Sequence, residues 1–149
     1  MRLKRMRSEL VLIDVGPNLV AINRAAIISS QNIVVPLAPD LFSLQGLKNL
    51  GPALRRWRKE WKDRLEKNTD TTLDLPQGVM KPIGYVILQH AMRADKPVKA
   101  YERWMARIPK IYRESVLADE SFAAIEDVPQ DPYCLYMLKH YRSLLPLAM

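Results

Sequence analysis

The chain has 149 residues, of which 26% are charged, and a formal net charge of +7. This length can bury one hydrophobic core, and no apolar stretch approaches the roughly 20 residues that a membrane span needs. The single cysteine excludes an intrachain disulfide, and the basic start is followed by too short an apolar run for a secretory signal. We therefore expect a cytoplasmic chain whose positive charge favours an acidic partner such as nucleic acid.

The first predicted strand runs from Glu9 to Asp14. Its aliphatic core, Leu10-Val11-Leu12-Ile13, is typical of a parallel strand buried on both faces, and it stops at a carboxylate before a Gly16-Pro17 turn. Open α/β folds bind ligands at the carboxyl edge of the sheet, so Asp14 could hold a magnesium ion or a phosphoryl group there. The structural alternative is that Asp14 only accepts hydrogen bonds from turn amides.

A helix and a second strand follow this turn. Asn18 is a candidate helix cap, and apolar residues recur at helical spacing through Ser29-Ser30, at Leu19, Ile22, Ala26 and Ile27. The second predicted strand is Asn32 to Pro36. The next helix begins near Phe42 and contains the step Leu44-Gln45-Gly46-Leu47.

From Glu9 to about Leu54, this order and spacing resemble the second half of the ParA/MinD family of partition ATPases, in which a Walker-B-like strand ends in Asp-x-x-Pro. The resemblance implies a P-loop ATPase of the AAA type that acts in plasmid or chromosome partition or in intracellular positioning. It further implies that Asp14 holds Mg²⁺ through water. The Asp14 to Asn18 segment, with Gly16, Pro17 and Asn18 in the turn, would contact ATP as a γ-phosphate switch.

The phosphate-binding loop of that family is absent from this sequence. None of its five glycines, Gly16, Gly46, Gly51, Gly78 and Gly84, is followed by Lys, and a phosphate cradle needs clustered glycines at a helix N-terminus. We therefore interpret residues 1–149 as a single partial P-loop NTPase-like domain, a fragment without catalytic residues. Alone it is expected to be inactive and to bind neither ATP nor Mg²⁺ tightly.

The clearest predicted helix follows the second strand. An apolar stripe spans some twenty residues, and Pro52 predicts a kink or a restart near Gly51-Pro52. The stripe consists of Leu44, Leu47, Leu50, Leu54, Trp57, Trp61 and Leu65. The opposite face mixes seven basic with three acidic residues between positions 55 and 67. This face is either solvated and held by pairs such as Arg56 with Glu60 and Lys59 with Asp63, or a phosphate-contacting surface.

A loop is predicted from Asn68 to Lys81, and a third strand from Ile83 to Gln89. In the resembled family the segment beyond this strand lies near the nucleotide base, so Gln89 and His90 could face it. The alternative for His90 is a structural hydrogen bond.

A second amphipathic helix is predicted from Pro97 to Ile108, and Pro109 ends or bends it. One of its faces carries a basic row that contains no acidic residue and consists of Lys96, Lys99, Arg103, Arg107 and Lys110. This row could contact DNA phosphates without sequence preference. Solvated basic side chains bordering an apolar stripe are the alternative. Besides DNA, the resemblance implies a homodimer or a ParB-like adaptor as partner.

The rest of the chain is predicted as loop from Ala118 to Pro132, with one helical turn at Ser121 to Ile125, and then a final helix from Tyr133 to Leu145. Three strands with intervening helices predict an α/β three-layer sandwich with a mainly parallel sheet.

Two other functions fit parts of this sequence. One is a basic nucleic-acid-binding α/β module without nucleotide chemistry. The other is a receiver domain with Asp14 as phosphoryl acceptor, but it lacks the upstream acidic pair, and Lys81-Pro82 precedes rather than follows a strand.

Overall fold

The computed structural model describes residues 10–16, 20–93, 96–97, 99–121, 125 and 127–140. Within these ranges, residues 89–93, 96–97, 99–101 and 139–140 are described by their backbone. The elements in chain order are α1 (Ala21–Ser29), β1 (Asn32–Leu37), α2 (Leu41–Lys67), β2 (Lys81–Arg93), β3 (Lys96–Pro97), α3 (Lys99–Met105), α4 (Ile108–Ile111), a π-helix (Tyr112–Leu117), a 3₁₀ turn (Val128–Gln130) and β4 (Cys134–His140).

The sheet is built around β2, which pairs in parallel with β1 on one side and with β4 on the other. Val35 of β1 lies beside Tyr85 of β2, which in turn lies beside Cys134 of β4. The two-residue strand β3 adds an antiparallel extension at the end of β2. The predicted α/β class, with an open sheet of three parallel strands and helices packed on it, is confirmed.

The third parallel strand is not the one that the sequence predicted. Residues 10–14 form no strand, and Leu10, Val11 and Leu12 are 73%, 71% and 86% exposed. An aliphatic run becomes a strand only when a neighbour completes its hydrogen-bonded ladder, and none of the described residues pairs with this segment. The prediction of a strand from Glu9 to Asp14 is therefore wrong for the residues described.

The C-terminal prediction of a helix from Tyr133 to Leu145 is also wrong over its described part, because Cys134–His140 is strand β4. The run from Cys134 to Leu138 is continuously apolar, and periodicity alone does not separate a buried strand from a buried helix in so short a run. Residues 134–140 form a strand because they pair with the free edge of β2, where the backbone groups of both strands are hydrogen-bonded.

The predicted second and third strands and the helix before them are confirmed as β1, β2 and α1. Helix α1 buries Ile27 and Ile28, but Ile22, expected on the same stripe, is 77% exposed. Val20 occupies the N-cap position without a side-chain hydrogen bond, while Asn18, the predicted cap, lies outside the described residues.

Helix α2 is continuous from Leu41 to Lys67 and passes through Pro52, so the alternative of a restart there is wrong. Its N-terminus is capped by Asp40, whose Oδ1 accepts a hydrogen bond from the Ser43 amide at 2.7 Å. The predicted stripe supplies much of the core, and Trp57 is 2% exposed. Trp61, also predicted as core, is half-buried against it.

The predicted helix from Pro97 to Ile108 is divided among β3, α3 and the start of α4. Pro109 lies in the first turn of α4 rather than ending a helix, because its missing amide has no intrahelical partner at that position. The chain continues into the π-helix, which ends at Ala118 in the left-handed conformation (φ 56°). The predicted turn at Ser121 to Ile125 lies largely outside the described residues, and the 3₁₀ turn comes later, at Val128–Gln130.

The predicted loop between α2 and β2 is confirmed, and α2 fixes its final residues. The Arg58 guanidinium donates hydrogen bonds to the carbonyl oxygens of Val79 and Met80. The Trp61 indole N–H donates to the carbonyl of Pro76 at 2.8 Å. These bonds bring the start of β2 onto the helix.

A buried polar network joins the π-helix, β2 and the turn before β4. Asp131 accepts hydrogen bonds from Arg113 Nη2 at 2.5 Å and from the Tyr85 hydroxyl at 2.7 Å, and its side chain is fully buried. Burial, and then the hydrogen bond to Asp131, raise the pKa of Tyr85 above its usual value. Tyr85 therefore stays a neutral donor to the buried Asp131 carboxylate.

The contact between α2 and the π-helix yields a prediction at Gly51. A Cβ at this position would lie 1.8 Å from the Ser115 carbonyl oxygen, which also accepts a hydrogen bond from Arg55. We expect Gly51→Ala to lower the free energy of unfolding by about 1 to 3 kcal/mol, although alanine is the better helix former. Urea unfolding followed by circular dichroism measures this change.

The matched control is Gly46→Ala in the same helix, where a Cβ meets nothing within 4 Å. There we expect a gain of up to about 1 kcal/mol from helix propensity alone. Equal effects of the two substitutions would contradict the close packing at Gly51.

The buried network yields a second stability prediction. Asp131→Ala removes the buried carboxylate that pairs with the Arg113 guanidinium, and we expect it to cost about 3 to 5 kcal/mol in urea unfolding. Replacing the whole network with apolar residues (Tyr85→Phe, Arg113→Met and Asp131→Leu together) should recover most of that loss. Asp127→Ala, at an exposed aspartate four residues earlier, should change stability by less than about 0.5 kcal/mol. A triple variant as unstable as Asp131→Ala would show that the loss comes from packing and not from the broken ion pair.

Candidate nucleotide-binding and nucleic-acid-binding sites

The predicted nucleotide-contacting turn is described as far as Gly16. Asp14 and Gly16 are exposed, and Val15 between them packs partly against the core. The Gly16 carbonyl accepts a hydrogen bond from Asn23 Nδ2 at 3.1 Å, which ties Gly16 to the first turn of α1. Pro17 and Asn18 lie outside the described residues.

This arrangement presents one solvent-accessible carboxylate on an anchored segment. A single carboxylate can hold Mg²⁺ through the ion's own water shell, since Mg²⁺ dehydrates reluctantly and commonly keeps several waters. Across the described ranges, no group of three or more His, Cys, Asp or Glu residues could hold a metal ion. Asp14 therefore fits an outer-shell contact and does not form a closed metal site.

The described glycines do not form a triphosphate cradle. Gly51 packs on Ser115, Gly78 on Trp61, and Gly84 on the Tyr133 carbonyl, while Gly46 lies within α2. A phosphate loop needs successive backbone amides that converge at a helix N-terminus. These residues therefore do not fit ATP by themselves, and a nucleotide site would need further residues to complete it.

The five residues of the predicted basic row are spread over three elements and the turn between two of them. Lys96 is in β3, Lys99 opens α3, and Arg103, Arg107 and Lys110 are exposed on α3, the turn after it and α4. The Arg107 guanidinium stacks over the Trp104 ring at 5.2 Å, and Lys110 pairs with Glu114 at 3.6 Å. The prediction that the basic row lies on one face of a single helix is therefore wrong. Glu114 partly neutralises the charge of Lys110, the last residue of the row.

The mixed face of α2 carries intrahelical ion pairs. Arg56 lies 3.8 Å from Glu60, as predicted, and Lys62 lies 3.9 Å from Glu66. No pair between Lys59 and Asp63 is found, although both residues are described. These long, exposed contacts are typical of a solvated face, where each pair contributes little.

Two interactions were missed by reasoning from the sequence. The first is the pair between Arg24 of α1 and Glu60 of α2 at 2.5 Å, in which Arg24 also lies over the Trp57 ring. The second is the buried network in which Asp131 accepts a hydrogen bond from Arg113. Both join residues at least 18 positions apart, so no local spacing reveals them. A weak signal existed for Asp131, because it lies between Pro129 and Pro132 and close to Tyr133.

Gln89 and His90 lie within β2, and their side chains are not described, so their predicted position near a base stays a prediction. In the described part of the chain, no helix has the length and apolar character to cross a membrane.

Comparisons with known proteins give one match. Residues 2–67, which are less than half of the chain, match a family model described as an AAA domain. Neither a curated protein nor a solved structure matches the chain. The matched segment includes residues 14–18, α1, β1 and α2. Residues 2–67 are thus similar to a P-loop NTPase-type domain, in a family that includes ParA/MinD-like proteins.

Proposed function

We propose that the chain is a segment of a ParA/MinD-like ATPase that acts in the cytoplasm in plasmid or chromosome partition or in intracellular positioning. The observation that supports this most is the AAA-domain match across residues 2–67, which contains Asp14 and the helix and strand after it. The parallel order of β1 and β2 agrees with such a domain.

In this proposal Asp14 contacts Mg²⁺ through water, and the turn of Gly16, Pro17 and Asn18 responds to the γ-phosphate. The exposure of Asp14 leaves its carboxylate free to meet a hydrated ion, and the bond from Asn23 to Gly16 transmits a movement of the turn to α1. Bound nucleotide supplies the phosphoryl group to be transferred. This chain contributes the sensing carboxylate and the helix connected to it.

The proposal requires a phosphate-binding loop from polypeptide that this sequence does not contain. Its test is to read the in-frame coding sequence upstream of Met1 for a glycine-rich loop that ends in Gly-Lys-Thr or Gly-Lys-Ser, and to express the extended protein. Mg-ATP hydrolysis by that protein should fall at least about a hundredfold in Asp14→Asn, since the carboxylate is needed where charge develops.

The matched control is Asp40→Asn, which alters the N-cap of α2 in the same matched segment and should keep hydrolysis within about twofold. The chain of 149 residues alone should give no calorimetric signal with Mg-ATP at micromolar concentrations. The absence of an upstream loop, micromolar binding by the chain alone, or full activity of Asp14→Asn would each contradict the proposal.

A second candidate is a basic nucleic-acid-binding module without nucleotide chemistry. The observation that favours it is the pair Arg103 and Arg107, which are exposed and form no ion pair with any described residue. Lys96 and Lys99 precede them in the chain, so the basic row remains the best candidate for contacts with phosphates.

The test is nonspecific DNA binding at several salt concentrations. If Arg103 and Arg107 contact phosphates, replacing both by Ala should reduce the slope of log affinity against log salt by about two. The same charge loss on the mixed face of α2, in Lys59→Ala/Lys62→Ala, should leave the slope within about half a unit. If the two double variants reduce the salt slope equally, the basic row contributes only through the general charge of the protein. If neither variant changes the slope, the basic row is a solvated surface that does not contact DNA.

A further inference from the structure

A cleft of about 370 Å³ lies between α1, the C-terminal half of α2 and the loop after α2. Its wall on α1 is formed by Ala21, Arg24, Ala25, Ile28 and Ser29, and the opposite wall by Trp61, Arg64 and Pro76. This volume is at the lower end of the range for small-molecule sites. The cleft shares no lining residue with residues 14–18 or with the basic row.

The floor of the cleft is suited to a flat apolar group. Ala21 and Ala25 are one helical turn apart, and their short side chains leave room beside Ile28 and the Trp61 indole. The Trp61 N–H is already donated to the Pro76 carbonyl at 2.8 Å, which fixes the indole and leaves its ring surface as the contact. Aromatic rings pack favourably against such a surface in offset or edge-on geometry.

The charge at the cleft comes from two arginines in different situations. Arg24 is engaged, because its guanidinium pairs with Glu60 at 2.5 Å and lies 5.6 Å from the centre of the Trp57 ring. Arg64 is exposed at the rim, and no hydrogen bond or ion pair joins it to any other described residue. One uncompensated positive charge therefore borders an apolar, aromatic floor.

We propose that this cleft binds a small aromatic acid, with its ring between the α1 alanines and Trp61 and its single anionic group on the Arg64 guanidinium. The planar guanidinium of Arg64 can donate two parallel hydrogen bonds to a carboxylate or to a phosphate. This site goes beyond the proposed function and does not depend on it.

The experiment uses the full chain and three probes of similar size: phenylacetate, phenyl phosphate and the neutral 2-phenylethanol. Binding is followed by ¹H–¹⁵N NMR of the indole N–H groups, with the Trp61 signal assigned by its loss in Trp61→Phe. We expect the Trp61 signal to shift with both anions, or with the one whose headgroup fits better. The anion should bind with at least about threefold higher affinity than the alcohol, because one contact between charges at an accessible site contributes about that much. The ranking of the two anions distinguishes a carboxylate ligand from a phosphate ligand.

Two variants assign the contacts. Arg64→Gln should reduce the affinity for the anions to that of the alcohol and leave the alcohol unchanged. The control Lys67→Gln removes the same charge one turn further along α2, outside the cleft, and should change no affinity by more than about 1.5-fold. Ala25→Leu places a larger side chain on an exposed position of the cleft wall and should abolish binding of all three probes.

The retained dispersion of the three indole signals in each variant verifies folding. The proposal is overturned if no probe shifts the Trp61 signal at millimolar concentration, or if anions and alcohol bind the unmodified chain equally. It is also overturned if Arg64→Gln and Lys67→Gln weaken binding to the same extent, or if all three indole signals shift together, because either result would indicate general surface binding.

Discussion

The fold depends on the buried carboxylate of Asp131, which holds three parts of the chain together. It accepts hydrogen bonds from Arg113 in the π-helix and Tyr85 in β2, and it immediately precedes the turn into β4. The Tyr133 carbonyl accepts a hydrogen bond from the Tyr85 amide at 2.8 Å, and the Cys134 amide donates a hydrogen bond to the Asp131 carbonyl at 2.9 Å. These contacts fix which residues of β4 lie beside which residues of β2.

Local patterns predicted the elements whose pattern is long or whose turn signals are strong. Helix α2 followed from its stripe of leucines and tryptophans, and β1 followed from a β-branched run bounded by polar residues and prolines. The helix does not restart at Pro52, since tertiary contacts of Leu54 and Trp57 with the core outweigh one lost backbone hydrogen bond.

The wrong strand prediction at Glu9 to Asp14 and the wrong helix prediction at Tyr133 to Leu145 have a common physical cause. Whether Leu10 to Ile13 or Cys134 to Leu138 joins a sheet depends on a neighbouring strand, and a neighbour distant in the chain leaves no trace in the local sequence. The same limit applies to the candidate sites. Asp14 and the basic residues could be identified from residue type and order, but the division of the row among β3, α3 and α4 could not. The cleft beside Trp61 needs α1, α2 and Pro76 together, so it could be found only in the folded chain.

The loop between α2 and β2 is held unequally along its length. At its start, the side chains of Asn68, Asp70 and Thr72 form hydrogen bonds only within residues 68–72, whereas its last residues are fixed to α2 by Trp61 and Arg58. Extra residues placed near Thr72 and Leu73 would lengthen a surface segment, at a closure cost of only about 0.6 kcal/mol for each doubling of loop length. The same insertion after Pro76 would separate the Arg58 guanidinium from the two carbonyls that it binds and displace the first residues of β2. Length variation among homologous chains, and any inserted module, would therefore be tolerated in the first half of this loop and opposed in the second.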